Sequence, residues 1–140
     1  MDEATPAGNG IAAQVLLRLG YLLGNSRYLG VAEKTLRAAW HDVRGFPHAH
    51  NALLNAAEEY LYPTETIVLR GEEGEMAQWM AVLNQQYSPR RIVMSISSEA
   101  KGLPGELLAY AAPESGVLAY VCREGRCLEP VAELQEIGER

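Results

Sequence analysis

The sequence lacks the features by which membrane, secreted and nucleic-acid-binding proteins are usually recognised. It contains no run of about 18 apolar residues that could span a bilayer, and its opening, MDEATPAGNG, is polar and acidic, unlike a signal peptide. The 12 Lys and Arg residues are scattered and are outnumbered by 18 Asp and Glu residues. Because phosphate binding needs clustered basic side chains, we expect neither nucleic acid nor a membrane as a partner, and a cytoplasmic location.

Motifs that bind cofactors or carry catalysis are also missing. No P-loop, G-x-S-x-G or H-E-x-x-H sequence occurs. The segment RGEEGEM at residues 70–76 has two glycines, but it does not form G-x-G-x-x-G, and its three glutamates would repel a phosphate. Those glutamates instead suit the first turn of a helix, where negative charge complements the helix dipole. We therefore expect no cofactor and assign no catalytic residue.

Residues 1–62 predict three helices joined by short turns. Apolar residues recur at helical spacing over 11–23, 28–43 and 49–61, and glycine or proline interrupts the pattern at 24 and at 45–47. Connections this short favour antiparallel neighbours. Leucines occupy nearly every side of the second half of the first helix, so we expect this helix to need packing partners on more than one side.

Residues 63–140 alternate between strand and helix patterns. Runs rich in β-branched residues predict strands at 66–69, 92–96 and 117–122, and an apolar stripe predicts a helix over 76–87. A short returning strand at 127–130 and a short helix at 131–137 complete the pattern. Two strands joined by such a helix favour a parallel pair. The predicted fold class is mixed α and β: N-terminal antiparallel helices, then a small βαβ-type three-layer domain with a mainly parallel sheet.

The two cysteines, Cys122 and Cys127, are the most chemically suggestive pair in the chain. They flank Arg123-Glu124-Gly125-Arg126, and a hairpin over these residues would place the cysteines opposite each other. Directly opposed Cα atoms lie within disulfide reach, and the nearby arginines would favour the thiolate. Two readings stay open at this stage: a redox or regulatory disulfide, or two small residues with no redox role.

Three histidines, His41, His48 and His50, lie close together in the sequence beside Asp42. Imidazole and carboxylate groups at this density can bind a transition metal. A glycine and a proline separate His41 from the other two, however, and side chains two residues apart diverge on a helix. We therefore expect solvated turn residues here and no metal site.

Nearly the whole chain is similar to a known family. The sequence DEATPAGNG at 2–10, the leucine-rich helix after it, and Arg27-Tyr28-Leu29 followed by an alanine-rich helix resemble the C-terminal part of thioredoxin-domain-containing proteins. These are bacterial relatives of the spermatogenesis-associated thioredoxin-like protein. The stretch IVLRG at 67–71 and the end from Tyr120 to Val131 fit the same tail. Such proteins have a thioredoxin-like domain, then a six-hairpin α/α toroid similar to N-acylglucosamine 2-epimerases and glycosidases, then this tail.

The resemblance implies that residues 1–62 are the terminal hairpins of a toroid and that residues 63–140 form a small α/β C-terminal domain. The chain would then be a non-catalytic fragment, not an enzyme by itself, that completes a larger protein of poorly defined function. Its partners would be the upstream toroid and thioredoxin-like domains, with self-association through exposed apolar surface. Asp2, Thr5 and Asn9 would form a loop facing the toroid cavity. Two alternatives stay open: a thiol-redox module using C-x4-C, or part of a carbohydrate-modifying enzyme of the epimerase or glycosidase kind.

Overall fold

The computed structural model describes residues 1–138 and divides into two compact units, Met1–Pro63 and Thr64–Arg140. We call them the helical unit and the sheet unit. The boundary that the sequence predicts, 62/63, falls one residue from this division. Glu139 and Arg140, which end the predicted domain 63–140, lie outside the described residues.

The helical unit contains three α-helices: α1 (Gly8–Leu22), α2 (Ser26–Gly45) and α3 (Asn51–Leu61), with a 3-10 turn at Pro47–Ala49 before α3. Helix α1 packs against both of the others. The buried apolar core draws on all three helices and comprises Ala13, Leu36, Val43, Leu53 and Ala56. Burial of these side chains is the main stabilising term for a unit of this size.

A side-chain cap sets the start of α2 but not that of α1. Asn25 caps α2, because its side-chain oxygen accepts hydrogen bonds from the backbone N–H groups of Arg27 and Tyr28 at 3.1 and 3.3 Å. Helix α1 has no such cap. That helix begins after Ala7, which is extended and makes no side-chain cap.

An ion pair joins α1 to α3 within the helical unit. The Arg18 guanidinium donates to both carboxylate oxygens of Glu59, at 2.8 and 3.1 Å. The Glu59 side chain is only 7% exposed. A buried carboxylate needs such a partner, because an unpaired charge in a low-dielectric interior is costly.

The sheet unit is a four-stranded sheet in the order β2-β1-β3-β4. Its strands are β1 (Glu65–Gly71), β2 (Arg91–Ser97), β3 (Val117–Arg123) and β4 (Arg126–Cys127). Helix α4 (Glu73–Gln85) connects β1 to β2, a 3-10 helix at Gly105–Ala109 lies between β2 and β3, and α5 (Leu134–Ile137) follows β4. Strand β1 lies at the centre, and all its residues after Glu65 are buried.

The expectation of a mainly parallel sheet is wrong. Only β1 and β2 pair in parallel, whereas β1 with β3 and β3 with β4 are antiparallel. The reason is the connection: α4 carries the chain back across the sheet between β1 and β2, but no α-helix does so between β2 and β3. The fold is therefore mixed α and β with one parallel pair.

The two faces of this sheet have different coverings. Alternate residues of β1 and β3, among them Ile67, Leu69, Val117, Ala119 and Val121, form an apolar cluster with Met76 and Leu83 of α4 and Ile137 of α5. We call this the helix-covered face. Because side chains alternate along a strand, Thr66, Val68, Tyr120 and Cys122 project from the opposite face. Both α-helices of the unit thus form one layer, not the two that a three-layer domain requires.

Tyr87, predicted to continue the stripe of α4, follows the helix and is 94% exposed.

None of the helices within residues 1–138 combines the length and the apolar character that crossing a bilayer demands.

Candidate functional site

The hairpin between β3 and β4 brings the two cysteines together. Glu124 and Gly125 form its two-residue turn, both with positive φ, at 53° and 74°, as a type I′ turn requires. Arg123 pairs with Arg126 beside the turn, and Cys122 pairs with Cys127 one step further along. A turn of this type fits the twist of the two strands. The two turn residues are therefore a local sequence signal that explains why the cysteines pair.

The two cysteines form a non-hydrogen-bonded pair of the antiparallel ladder. The next residue, Leu128, donates its N–H to the Val121 carbonyl at 2.9 Å, so the cysteines face each other between hydrogen-bonded pairs. At such positions the Cα atoms approach most closely, and here they are 3.9 Å apart. The structure joins Cys122 and Cys127 in a disulfide, and residues 1–138 contain no free cysteine.

A tyrosine hydroxyl lies against the disulfide. The Oη of Tyr110 is 3.6 Å from the Sγ of Cys122 and 3.6 Å from the Sγ of Cys127. Disulfide sulfurs carry no proton, so the tyrosine is the donor. Burial raises the pKa of Tyr110 above its usual value, which keeps the hydroxyl protonated. The ring is also held by an edge contact with Tyr120, whose centroid lies 5.1 Å away.

Sequence reasoning missed Tyr110. It lies 12 residues before Cys122, in the segment that returns from β2 to β3, and its backbone N–H closes the 3-10 helix on the Leu107 carbonyl at 3.3 Å. No short motif links a tyrosine to a disulfide at that separation. Only the path of the intervening loop brings the two together.

The sequence predicts that the arginines of the hairpin lie near the sulfurs and favour the thiolate. In the structure they turn away from the sulfurs. Alternation along β3 turns Arg123 to the face opposite Cys122. There its guanidinium donates to the Glu65 carboxylate at 2.8 Å, and Arg91 donates to the other oxygen of the same carboxylate at 2.8 Å. Glu65 thus offsets the charge of Arg123, and the hydrogen-bond donor beside the disulfide is a neutral hydroxyl.

The N-terminal loop is the second site that the sequence singled out. The Asp2 carboxylate accepts hydrogen bonds from the Ala7 N–H at 2.6 Å and from the Ala52 N–H, in the first turn of α3, at 2.8 Å. These backbone hydrogen bonds, the one from Ala52 foremost, lower the pKa of Asp2. Asp2 therefore caps α3 from a distance, with its charge complementing the helix N-terminus.

A shallow cleft of about 320 Å³ lies beside this loop. Its lining residues are Asp2, Glu3, Ala4, Pro6, Ile11, Gln14, Asn51, Ala52 and Asn55. Of the three loop residues predicted to face a cavity, the lining includes Asp2, while Thr5 and Asn9 lie on the exposed surface outside it. That the three residues face a toroid cavity stays a prediction.

The histidines are not all solvated turn residues. His41 and His48 are exposed, but His50 is only 6% exposed, and its Nδ1 has no hydrogen-bond partner among residues 1–138. Within the same residues, no group of three or more His, Cys, Asp or Glu side chains is arranged to hold a metal ion.

Comparison with curated sequences gives a significant relationship to a protein of unknown function. An uncharacterized protein of Caenorhabditis elegans, B0495.5, is 28% identical over an alignment 144 residues long. The alignment covers 99% of this chain and 19% of the worm protein. The chain thus spans about a fifth of the length of the curated relative it matches. No protein-family model matches the chain, and no solved structure matches it significantly.

Proposed function

We propose that this chain is a non-catalytic, cytoplasmic, C-terminal part of a larger protein with a thioredoxin-like domain and an α/α toroid. In this proposal the helical unit completes the toroid. One observation carries it: helix α1 is apolar on two sides. Its inner side buries Ala13 and Leu17, whereas Ile11, Val15 and Leu19 on the other side are 43%, 48% and 38% exposed. We call these three residues the outer stripe.

The spacing of the outer stripe supports a helical partner. Residues four apart lie on one face of a helix, so the three side chains form a continuous apolar row. Apolar rows of this kind are buried against other elements in stable proteins. The length of the worm relative, about five times that of the matching segment, is consistent with further helices that could cover the row.

Substitution of the outer stripe tests this proposal. We expect the chain to co-elute with the polypeptide encoded directly upstream in its reading frame, and Ile11→Gln, Val15→Gln and Leu19→Gln together to weaken that association by at least about tenfold. Each substitution removes about 1 kcal/mol of apolar burial, and 1.4 kcal/mol corresponds to tenfold in affinity. Analytical size exclusion and titration calorimetry provide the measurement.

Val82→Gln is the matched control, because Val82 is also 43% exposed but lies on α4 in the sheet unit. It should leave the association unchanged. Equal affinities for the stripe variant and the unsubstituted chain would contradict the proposal. Light scattering of the chain alone shows whether self-association covers the same row.

A second candidate function, a thiol-redox module, is favoured by the disulfide and its buried tyrosine. The sequence separation of the two cysteines is only 5, and closing so short a loop stabilises a fold by about 2 kcal/mol in the chain-entropy model. The hairpin also has backbone hydrogen bonds of its own. Reduction should therefore leave the sheet unit folded, which a reversible redox pair requires. In a cytoplasmic setting, disulfides are usually transient or redox-active.

Thiol titration tests the redox candidate. We expect no reactive thiol in the native chain after mild oxidation and two after treatment with a dithiol, with an unchanged circular dichroism spectrum. Reoxidation should restore the first state. A disulfide that resists the dithiol until denaturant is added would remove this candidate, as would a spectrum that collapses on reduction.

A further inference from the structure

The two cysteine residues of the disulfide differ in their exposure to solvent. Cys122 is 6% exposed, whereas Cys127, on the two-residue edge strand β4, is exposed. Thiol–disulfide exchange begins when a thiolate reaches one of the two sulfurs, and access decides which sulfur that is. An external thiol can approach Cys127 from solvent, while the surrounding structure shields Cys122.

The buried sulfur is a poor leaving group unless something stabilises it. When the S–S bond breaks, the departing sulfur carries negative charge, and burial disfavours the charged form of a thiol. A hydrogen-bond donor held in place before the reaction offsets that cost without reorganisation. Tyr110 meets this requirement, since its Oη lies 3.6 Å from the Cys122 Sγ. The same hydroxyl is 3.6 Å from the Cys127 Sγ, so access, and not the hydroxyl, decides which sulfur leaves.

From this arrangement we propose that Cys127 is the sulfur attacked by an external thiol reductant and that Cys122 is the leaving sulfur, stabilised by the Tyr110 hydroxyl. The inference rests on the second proposed function, the thiol-redox module, and gives it a direction. The reductant is a dithiol, and Tyr110 belongs to the site.

The reaction balances with the dithiol as its only co-reactant. A thiolate of the dithiol bonds to the Cys127 Sγ, the bond between the cysteines breaks, and the Cys122 Sγ keeps the electron pair and takes a proton from solvent. The second sulfur of the reductant, as a thiolate, then attacks the mixed disulfide, and Cys127 leaves as a thiolate. The protein disulfide gains two electrons, and the dithiol is oxidised to its own disulfide.

Trapping the first intermediate identifies the attacked sulfur. The oxidised native chain is treated with the monothiol glutathione, quenched rapidly with acid, unfolded and blocked with an alkylating reagent. Arg123 and Arg126 both lie between the cysteines, so trypsin places Cys122 and Cys127 on different peptides for mass spectrometry. We expect at least about tenfold more glutathione on Cys127 than on Cys122. Equal labelling, or labelling mainly at Cys122, would overturn the inference.

Replacing the tyrosine hydroxyl tests the stabilising role separately. Tyr110→Phe keeps the ring and should slow reduction by a limiting dithiol about fivefold, the loss expected for one hydrogen bond to the leaving sulfur. In a Cys127→Ser background, the same change should raise the thiol pKa of Cys122 by about half a unit or more, measured from thiolate absorbance. A purely structural tyrosine would leave that pKa where it was.

Tyr120→Phe is the matched control. Tyr120 touches the Tyr110 ring, but its hydroxyl donates to the Ala111 carbonyl at 2.9 Å and not to sulfur. It should change neither the rate nor the Cys122 pKa, and an equal effect of the two variants would count against Tyr110. A disulfide that no thiol reduces in the folded chain refutes the redox function itself, whereas reduction through Cys122 refutes only the direction proposed here.

Discussion

Gly71→Ala is expected to destabilise the sheet unit by about 3 kcal/mol or more. Gly71 ends β1 opposite Val117 and has φ of 153°, a conformation that L side chains rarely adopt. A Cβ here would overlap the carbonyl oxygen of Gly116 and lie 3.0 Å from the Cα of Val117. Both contacts are to backbone, which cannot move without breaking the pairing of β1 with β3. Hydrogen exchange followed by mass spectrometry should show lost protection in these strands.

Gly74→Ala is the control for this change. Gly74 lies near the start of α4, its φ is not positive, and nothing lies within 4 Å of an added Cβ. It should leave the sheet intact and add about 0.5 kcal/mol by restricting the unfolded chain. If both alanine variants unfold at the same denaturant concentration, then β1 does not approach residue 116 as closely in the protein as it does in the structure.

Local patterns predicted the strands and the parallel pairing of β1 with β2, but they did not predict that β3 pairs antiparallel with β1. The β-branched run at 66–69 and the run at 92–96 coincide with β1 and β2, and the helix between them explains their parallel pairing. The direction of β3 depends on the path of residues 98–116, which carry no periodic pattern. Sequence periodicity reports the faces of an element and is silent on a loop of that kind.

The same contrast separates what could be predicted at the candidate site from what could not. The turn at Glu124-Gly125 is a local signal, and the opposition of Cys122 and Cys127 follows from it. The position of the Tyr110 hydroxyl beside both sulfurs depends on a distant segment, and the two cysteines differ in burial. Residue types and spacing therefore indicated a pair of cysteines, while the hydrogen-bond donor beside them and their unequal burial are tertiary features.

The N-terminal loop shows a similar limit. Asp2 was predicted to face a cavity, yet its carboxylate accepts the N–H of Ala52, which lies 50 residues away in the sequence. A carboxylate committed to two backbone donors holds its loop against α3. If Asp2 faces a cavity, it does so while it caps α3. Thr5 and Asn9 are exposed.

Gly10→Ala is the corresponding prediction for the helical unit, and we expect it to destabilise that unit by about 2 kcal/mol or more. A Cβ at Gly10 of α1 would lie 2.6 Å from the carbonyl carbon and the Cβ of Ala52 and 2.8 Å from the Leu53 nitrogen. These atoms belong mainly to the backbone of α3, so the helices must separate, at a cost that exceeds the gain of about 1 kcal/mol in helix propensity.

Gly30→Ala separates the two terms of that estimate. Gly30 lies inside α2, and nothing lies within 4 Å of an added Cβ, so only the propensity gain applies and the unit should be stabilised by about 0.5–1 kcal/mol. Denaturant unfolding monitored by circular dichroism, with hydrogen exchange on α1 and α3 peptides, measures both variants. If Gly10→Ala lowers the free energy of unfolding and Gly30→Ala raises it, close contact between α1 and α3 holds the helical unit together. Stabilisation by both would mean that α1 does not approach α3 closely at Ala52.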